Sequence, residues 1–131
     1  MQRVFTSLSE LPAVLDMTEE TCRRAGLPDE LAFKAQVVLE ELFVNTFMHA
    51  YKNDEGPAKI TLEAAKENLF IRFADQGPAF DPLIAETPDL QQRFAEGTPG
   101  GAGLILLRTM AEDLHYTRQD EHNILEMRIT G

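Results

Sequence analysis

The stretch EELFVNTFMHAY, residues 40–51, sets Glu41, Asn45 and His49 at four-residue spacing inside an otherwise apolar run. That spacing stacks side chains along one side of a helix, so a carboxylate and an amide stand one turn apart. A carboxylate so placed can take a proton, and an amide oxygen can ligate Mg²⁺. Both groups are costly among apolar neighbours unless something pairs with them. On the helix alone an internally satisfied polar pair, or a helix end that frays into solvent, is the preferred reading, and His49 reads as a structural histidine. A second stretch, FADQGPAFDP, ends an apolar run with Asp75 and continues to Gly77. A carboxylate at a strand end is held by the sheet yet open to a pocket, where it can accept a hydrogen bond from an exocyclic amine. Gly77 would let a flat ring approach the backbone; a plain turn is the alternative, since Asp, Gly and Pro favour turns too. A third stretch, GTPGGAGLILL, runs Gly97, Gly100, Gly101 and Gly103 into an apolar helix. Such a loop directs backbone N–H groups and the positive helix end at an anion, typically phosphate. It lacks the lysine of a Walker loop and the parallel βαβ unit of a dinucleotide fold, so both of those folds fit poorly.

These groups need elements to hold them. RVFTS reads as a short first strand, and Ser9 as the N-cap of a helix over Leu11 to Arg24 with Pro12 in its first turn. Gly26 and Pro28 end that helix, and a longer one runs from PDELAF to Tyr51 until NDEGP stops it. Its apolar residues extend nearly all round, which predicts cover on every side. AKITLEA and NLFIRFAD alternate with period two and predict an antiparallel hairpin. From Gly77 to Gly101 the periodicity fades and Pro78, Pro82, Pro88 and Pro99 interrupt it. A loop this long is read as a functional lid, over about residues 80–99. A helix resumes at GLILLRTMAEDL, and HYTRQ…ILEMRIT closes the chain as a hairpin with Leu125, Met127 and Ile129 on one face. The order β-α-α-β-β-lid-α-β-β predicts an α+β fold, a two-layer α/β sandwich.

The totals narrow the function. At 131 residues the chain reads as a single domain, 1–131, long enough to bury about two-thirds of its unfolded surface. A formal charge of −10 with no basic run argues against nucleic-acid binding. Cys22 is the only cysteine and sits in a helix, a plain half-buried thiol rather than a disulfide or metal ligand. No segment has the pattern of a signal peptide or approaches the roughly 20 apolar residues of a membrane span. A cytoplasmic protein without a membrane role is expected. Taken together, the three polar stretches compose an ATP site in parts: metal ligand, base, amine acceptor and phosphate loop.

At this point the chain resembles the GHKL ATPase superfamily, and within it the stand-alone anti-sigma factor serine/threonine kinases. Glu41-Leu-Phe-Val-Asn45 followed by His49-Ala50-Tyr51 is similar to their first motif, Asp75-Gln76-Gly77 to their second, and Gly100-Gly101-Ala102-Gly103-Leu104 to their third. The matches span nearly the whole chain in the family's order. The resemblance implies a Bergerat-type sandwich, a mixed, mostly antiparallel sheet with helices on one face and a nucleotide lid. It implies ATP and Mg²⁺ as cofactors, with Asn45 on the metal and Asp75 on the adenine amino group. Gly77, Ala79 and residues Gly100 to Leu104 would complete the nucleotide site. Glu41 would be the general base, taking the proton of a serine on an anti-anti-sigma antagonist of STAS type. Relatives also bind a sigma factor, and many form homodimers. The rival reading is a non-catalytic partner-binding module of the same fold. The sequence departs from the pattern where Ala79 replaces the second glycine of the Asp-x-Gly-x-Gly box. It departs again where Asn123 and Ile124 stand in place of a Gly-Thr pair in the last hairpin.

Overall fold

The computed structural model describes residues 1–51, 56–79 and 107–131, except the side chain of His49. The expected lid and the loop residues Gly100, Gly101, Ala102, Gly103 and Leu104 lie outside the described residues. The elements are β1 (Gln2–Phe5), α1 (Leu11–Arg24), α2 (Asp29–Asn45), β2 (Ala58–Ala65), β3 (Asn68–Asp75), β4 (Glu112–Gln119) and β5 (His122–Thr130). The strands form one sheet in the order β1-β2-β3-β5-β4. Every neighbouring pair is antiparallel, so among the described strands the sheet is not mixed.

Alternation builds the layers. Ile60 and Leu62 of β2, Leu69, Ile71 and Phe73 of β3, and Leu125, Met127 and Ile129 of β5 all point to one side and are buried. They meet Val14, Met17 and Cys22 of α1 and Leu31, Ala35, Val38, Leu39 and Phe43 of α2 in one core. The intervening residues Lys59, Glu63, Phe70, Arg72 and Glu126 are exposed on the opposite face. Both helices therefore cover the same side of the sheet. Period-two burial on this side is what fixes register, since a one-residue slip would turn every inward side chain out.

Local details depart from the sequence reading. Ser7, not Ser9, begins the helical region: its hydroxyl and the Glu10 carboxylate form a capping box around a 3₁₀ turn, Leu8–Glu10, that leads into α1. The helix expected after the lid ends by Met110, and Glu112–Leu114 already belong to β4. Asp113 takes a φ of +54° at an irregularity in the β4–β5 ladder. There Arg128 of β5 pairs with Glu112 at 3.0 Å and with Asp113 at 2.8 Å. Among the described residues helices occupy only one face of the sheet, so α2 is not covered all round: Phe33 is 61% exposed, and Met48 in the turn that follows the helix is 39% exposed. The last hairpin turns on Asp120 and Glu121, with φ of +51° and +65°. Two positive-φ residues in a two-residue turn match the twist of the strands they join. That turn sets Asn123 opposite both Arg118 and, on the other side, Asp75.

Candidate functional site

Helix α2 ends at Asn45, where the chain widens into a π turn, Thr46–Ala50. Single π turns recur at functional sites, where they re-aim side chains of the adjoining helix. Glu41 and Asn45 are half-buried, and neither side chain hydrogen-bonds another group among the described residues. Polar atoms partly withdrawn from water and left unspent carry a cost that a ligand can offset.

A row of rings fixes the end of α2. Phe5 meets Phe43 edge-on at 5.8 Å between centroids, Phe43 meets Phe47 at 4.7 Å, and Phe47 meets Tyr51 at 5.5 Å. The Tyr51 hydroxyl then donates to the Pro57 carbonyl at 2.6 Å and accepts the Gln76 backbone N–H at 2.6 Å. Burial raises the Tyr51 pKa, the Gln76 N–H opposes that rise, and the charge of Asp75 adds to it. One side chain thus ties the helix that carries Glu41 and Asn45 to the turn that follows Asp75.

The turn itself is tight. Gly77 is buried, and a Cβ added to it would lie 2.8 Å from the Ala50 Cβ and 3.2 Å from Asp75 Oδ1. The space that a side chain would take is filled by the π turn of the helix, which gives this glycine a packing reason that the sequence reading did not supply. Asp75 Oδ1 accepts the Gly77 N–H at 2.8 Å and the Asn123 Nδ2 at 3.0 Å. Both bonds fall on the same oxygen, and Oδ2 has no partner among the described residues. Ala79, two residues past Gly77, is exposed.

Asn123 was legible in the sequence only as a departure; in the structure it is a hub. It is 7% exposed. Its Oδ1 accepts the Tyr116 hydroxyl at 2.5 Å and Arg118 Nη1 at 3.1 Å. Its Nδ2 donates to Asp75 Oδ1, to the Pro78 carbonyl at 2.9 Å and to the Gly77 carbonyl at 3.3 Å. Arg118 Nη1 reaches the same Gly77 carbonyl at 2.7 Å. Tyr116, Arg118 and Asn123 carry no motif, and the only signal for them is the two-residue turn that fixes their register.

Two of the three polar stretches are therefore joined, through Tyr51 to Gln76 and Ala50 to Gly77. The glycine loop lies outside the described residues. No group of three or more His, Cys, Asp or Glu side chains gathers as a metal cage among the described residues. The donor chemistry fits Mg²⁺ nonetheless, because that ion is commonly held by one or two protein oxygens plus substrate phosphates, and the Asn45 amide oxygen is unspent. A separate groove of about 330 Å³ lies between the outer sheet face and the β4–β5 turn, lined by Lys59, Arg72, Gln119 and His122 among others. Glu41, Asn45 and Asp75 do not line it.

Comparison with known proteins converges on one family. The model of the histidine kinase-like ATPase domain matches residues 6–129. The serine/threonine-protein kinase BtrW of Bordetella bronchiseptica is 32% identical over 98 residues, which cover 74% of this chain and 69% of that protein. The serine-protein kinase RsbW of Bacillus cereus is 24% identical over 111 residues, covering 77% and 69%. Among solved structures, the catalytic domain of the histidine kinase ThkA superposes with a TM-score of 0.54 at 18% identity, covering 99% of this chain and 95% of that one. The histidine kinase AdeS of Acinetobacter baumannii gives 0.50 at 20% identity, covering 99% and 67%. At these identities the structures speak for the fold alone. Among the described residues, no helix is long and apolar enough to cross a membrane.

Proposed function

Since the chain belongs to the histidine kinase-like ATPase domain family, we propose that it is an ATP-dependent protein serine/threonine kinase that acts as an anti-sigma regulatory factor. Its substrate would be a serine of an anti-anti-sigma antagonist of STAS type, and its second partner a sigma factor that it sequesters. The names of the two relatives support the kinase reading. The observation that carries it is local: Glu41 and Asn45, one turn apart and unspent, sit on a helix locked by Tyr51 and Ala50 to the Asp75 turn.

In this reading the serine oxygen attacks the γ-phosphorus of ATP, the bond to the β–γ bridging oxygen breaks, and ADP leaves. Glu41 accepts the proton that the serine hydroxyl gives up. Asp75 spends Oδ1 on holding its own turn and offers Oδ2 to the adenine amino group. Asn45 would hold Mg²⁺, whose charge offsets that of the phosphates when it is bound. Gly77 and Ala79 would border the nucleotide, with Gly100, Gly101, Ala102, Gly103 and Leu104 at the phosphates. Residues 1–131 would act as a single domain with a lid over about 80–99. The protein would work in the cytoplasm, and as a homodimer if it follows its relatives' habit.

The rival reading, a non-catalytic binding module, draws on Phe33 and Met48, apolar side chains exposed on the helical segment that carries Glu41. One experiment decides between them. The chain is incubated with γ-labelled ATP, Mg²⁺ and a STAS-type antagonist, and label on the antagonist serine is measured. Transfer supports the kinase. ATP binding without transfer supports the binding module, and absence of ATP binding rejects the nucleotide site.

A further inference from the structure

The residues around Asp75 that carry no motif form a brace. Asn123 is nearly enclosed, and its amide is oriented without ambiguity: the Oδ1 side faces two donors, Tyr116 and Arg118, while the Nδ2 side faces acceptors on Asp75, Gly77 and Pro78. A flipped amide would set its N–H groups against the guanidinium, and its oxygen against a carboxylate and two carbonyls. Arg118 adds a charge-assisted bond to the Gly77 carbonyl. The carboxylate of Asp75 is thereby held by one oxygen, and the other keeps a fixed direction. A neutral side chain on β5 does this at the position directly across from Asp75.

We propose that Arg118 and Asn123 are positioning residues for purine discrimination. They fix the rotamer of Asp75 and the carbonyl of Gly77, so that the free carboxylate oxygen meets a donor on the purine and rejects an acceptor at the same place. The proposal rests on the ATP reading above and adds to it residues from outside the three polar stretches. Discrimination by a buried polar contact depends on the acceptor being unable to turn away from a mismatched ligand. Without the brace, Asp75 keeps its chemistry and loses its aim. The loss therefore appears first in the ratio of ATP to GTP affinity and only second in fold stability. Arg118 is exposed, which makes it the better residue to change.

The test uses the full chain, Arg118→Met to keep the stem and remove the donors, and Asn123→Leu as the near-isosteric second variant. Arg72→Met on the outer sheet face is the control. ATP and GTP affinities are measured by competition against a fluorescent ATP analogue, thermal unfolding is recorded in parallel, and amide exchange at Gly77 is followed without ligand. The expected result for Arg118→Met is a melting temperature close to wild type, faster exchange at Gly77 and an ATP-to-GTP ratio reduced by about tenfold, the size expected when a hydrogen bond to a charged group is lost. Arg118→Lys, which keeps a cationic donor on a shorter stem, should restore part of the ratio. An unchanged ratio in both variants overturns the proposal, whether or not stability falls, because the cluster then serves the fold only. If the wild type binds no ATP, the nucleotide reading fails with it. Wild-type binding with unaltered variants sinks the brace alone.

Discussion

Gly77→Ala isolates the contact between the first and second polar stretches. The glycine has no positive φ to protect, so alanine can adopt its backbone conformation and gains about 0.4–1 kcal/mol from a stiffer unfolded chain. Against that stands a Cβ placed 2.8 Å from the Ala50 Cβ, closer than such atoms sit, and 3.2 Å from Asp75 Oδ1. The Ala50 Cβ cannot rotate away, and Asp75 Oδ1 is held by two hydrogen bonds, so the π turn must move away from the end of β3. Overpacking of this kind costs about 1–3 kcal/mol. Strain on the Gly77 N–H bond to Asp75 adds about 1 kcal/mol more. The net expectation is a destabilisation on the order of 2 kcal/mol, read by urea denaturation. Ala50→Gly should cost about 1 kcal/mol by itself, as glycine does in a helix. In combination it removes the atom that the added Cβ strikes, so the double variant should be more stable than the sum of the singles predicts, by at least about 1 kcal/mol. Additivity within about 0.5 kcal/mol would refute the claim that the two stretches touch here. The Gly77→Ala variant should also weaken ATP binding, because the helix carrying Asn45 and the turn carrying Asp75 would no longer keep their spacing.

Other expectations follow from the same geometry. Asn45→Ala should weaken Mg²⁺-ATP binding, while Glu41→Gln should keep binding and lose phosphoryl transfer; equal affinity for the first or full transfer by the second would remove the assigned role. Asp75→Asn should reduce ATP affinity and narrow the ATP-to-GTP gap, from about tenfold or more, because the amide can turn a donor toward guanine; an unchanged ratio in competition binding would make Asp75 a turn residue. Tyr51→Phe should cost about 1–2 kcal/mol through two lost hydrogen bonds. Because burial raises the Tyr51 pKa in the folded chain, its neutral form stabilises the fold fully below the unfolded value of about 10. That contribution is lost as pH climbs through the folded value, so the wild type should lose more stability than Tyr51→Phe across that alkaline range. Cys22 is 1% exposed and burial pushes its thiol pKa up, so alkylation in native buffer should be slow and should accelerate sharply in denaturant.

What the sequence disclosed was the part set by local periodicity. The β2–β3 hairpin, β5 and the core face of each were legible because inward residues alternate and nothing remote is needed to place them. Ser7 was also legible, since Ser-Leu-Ser-Glu has the spacing of a capping box, yet Ser9 stands closer to the helix and masked it. The start of β4 was not legible. Ala-Glu-Asp-Leu continues a helical pattern, and what holds Glu112 and Asp113 in an irregular ladder comes from the next strand, where Arg128 pairs with Glu112 in the ladder and forms ion pairs with both. The expected full cover of α2 failed for a related reason. An all-round apolar pattern reports affinity for cover, whereas the number of layers decides whether cover exists, and here Phe33 remains outside. Glu41, Asn45 and Asp75 stood out as candidates by type and spacing, and the structure joins the two stretches that carry them. Asn123 was not, because its role depends on the register between β3 and β5, 48 positions apart in sequence.

The Asp75 turn is gripped from two sides by parts of the chain that share no local sequence. From the helix, Tyr51 takes the Gln76 N–H and Ala50 fills the space beside Gly77. From the last hairpin, Asn123 and Arg118 take the Asp75 carboxylate and the Gly77 carbonyl. Residues 75–77 are thus bonded through a side chain, two N–H groups and a carbonyl. A turn needs far less than this to be stable, and turns without such anchoring are common on protein surfaces. The surplus is explained if the direction of one carboxylate oxygen matters more than the turn itself. It also implies that the two grips act on one variable. Tyr51→Phe and Arg118→Met should each loosen the aim of Asp75, and together they should reduce purine discrimination by less than the product of their separate effects, since an oxygen already free to turn has little aim left to lose.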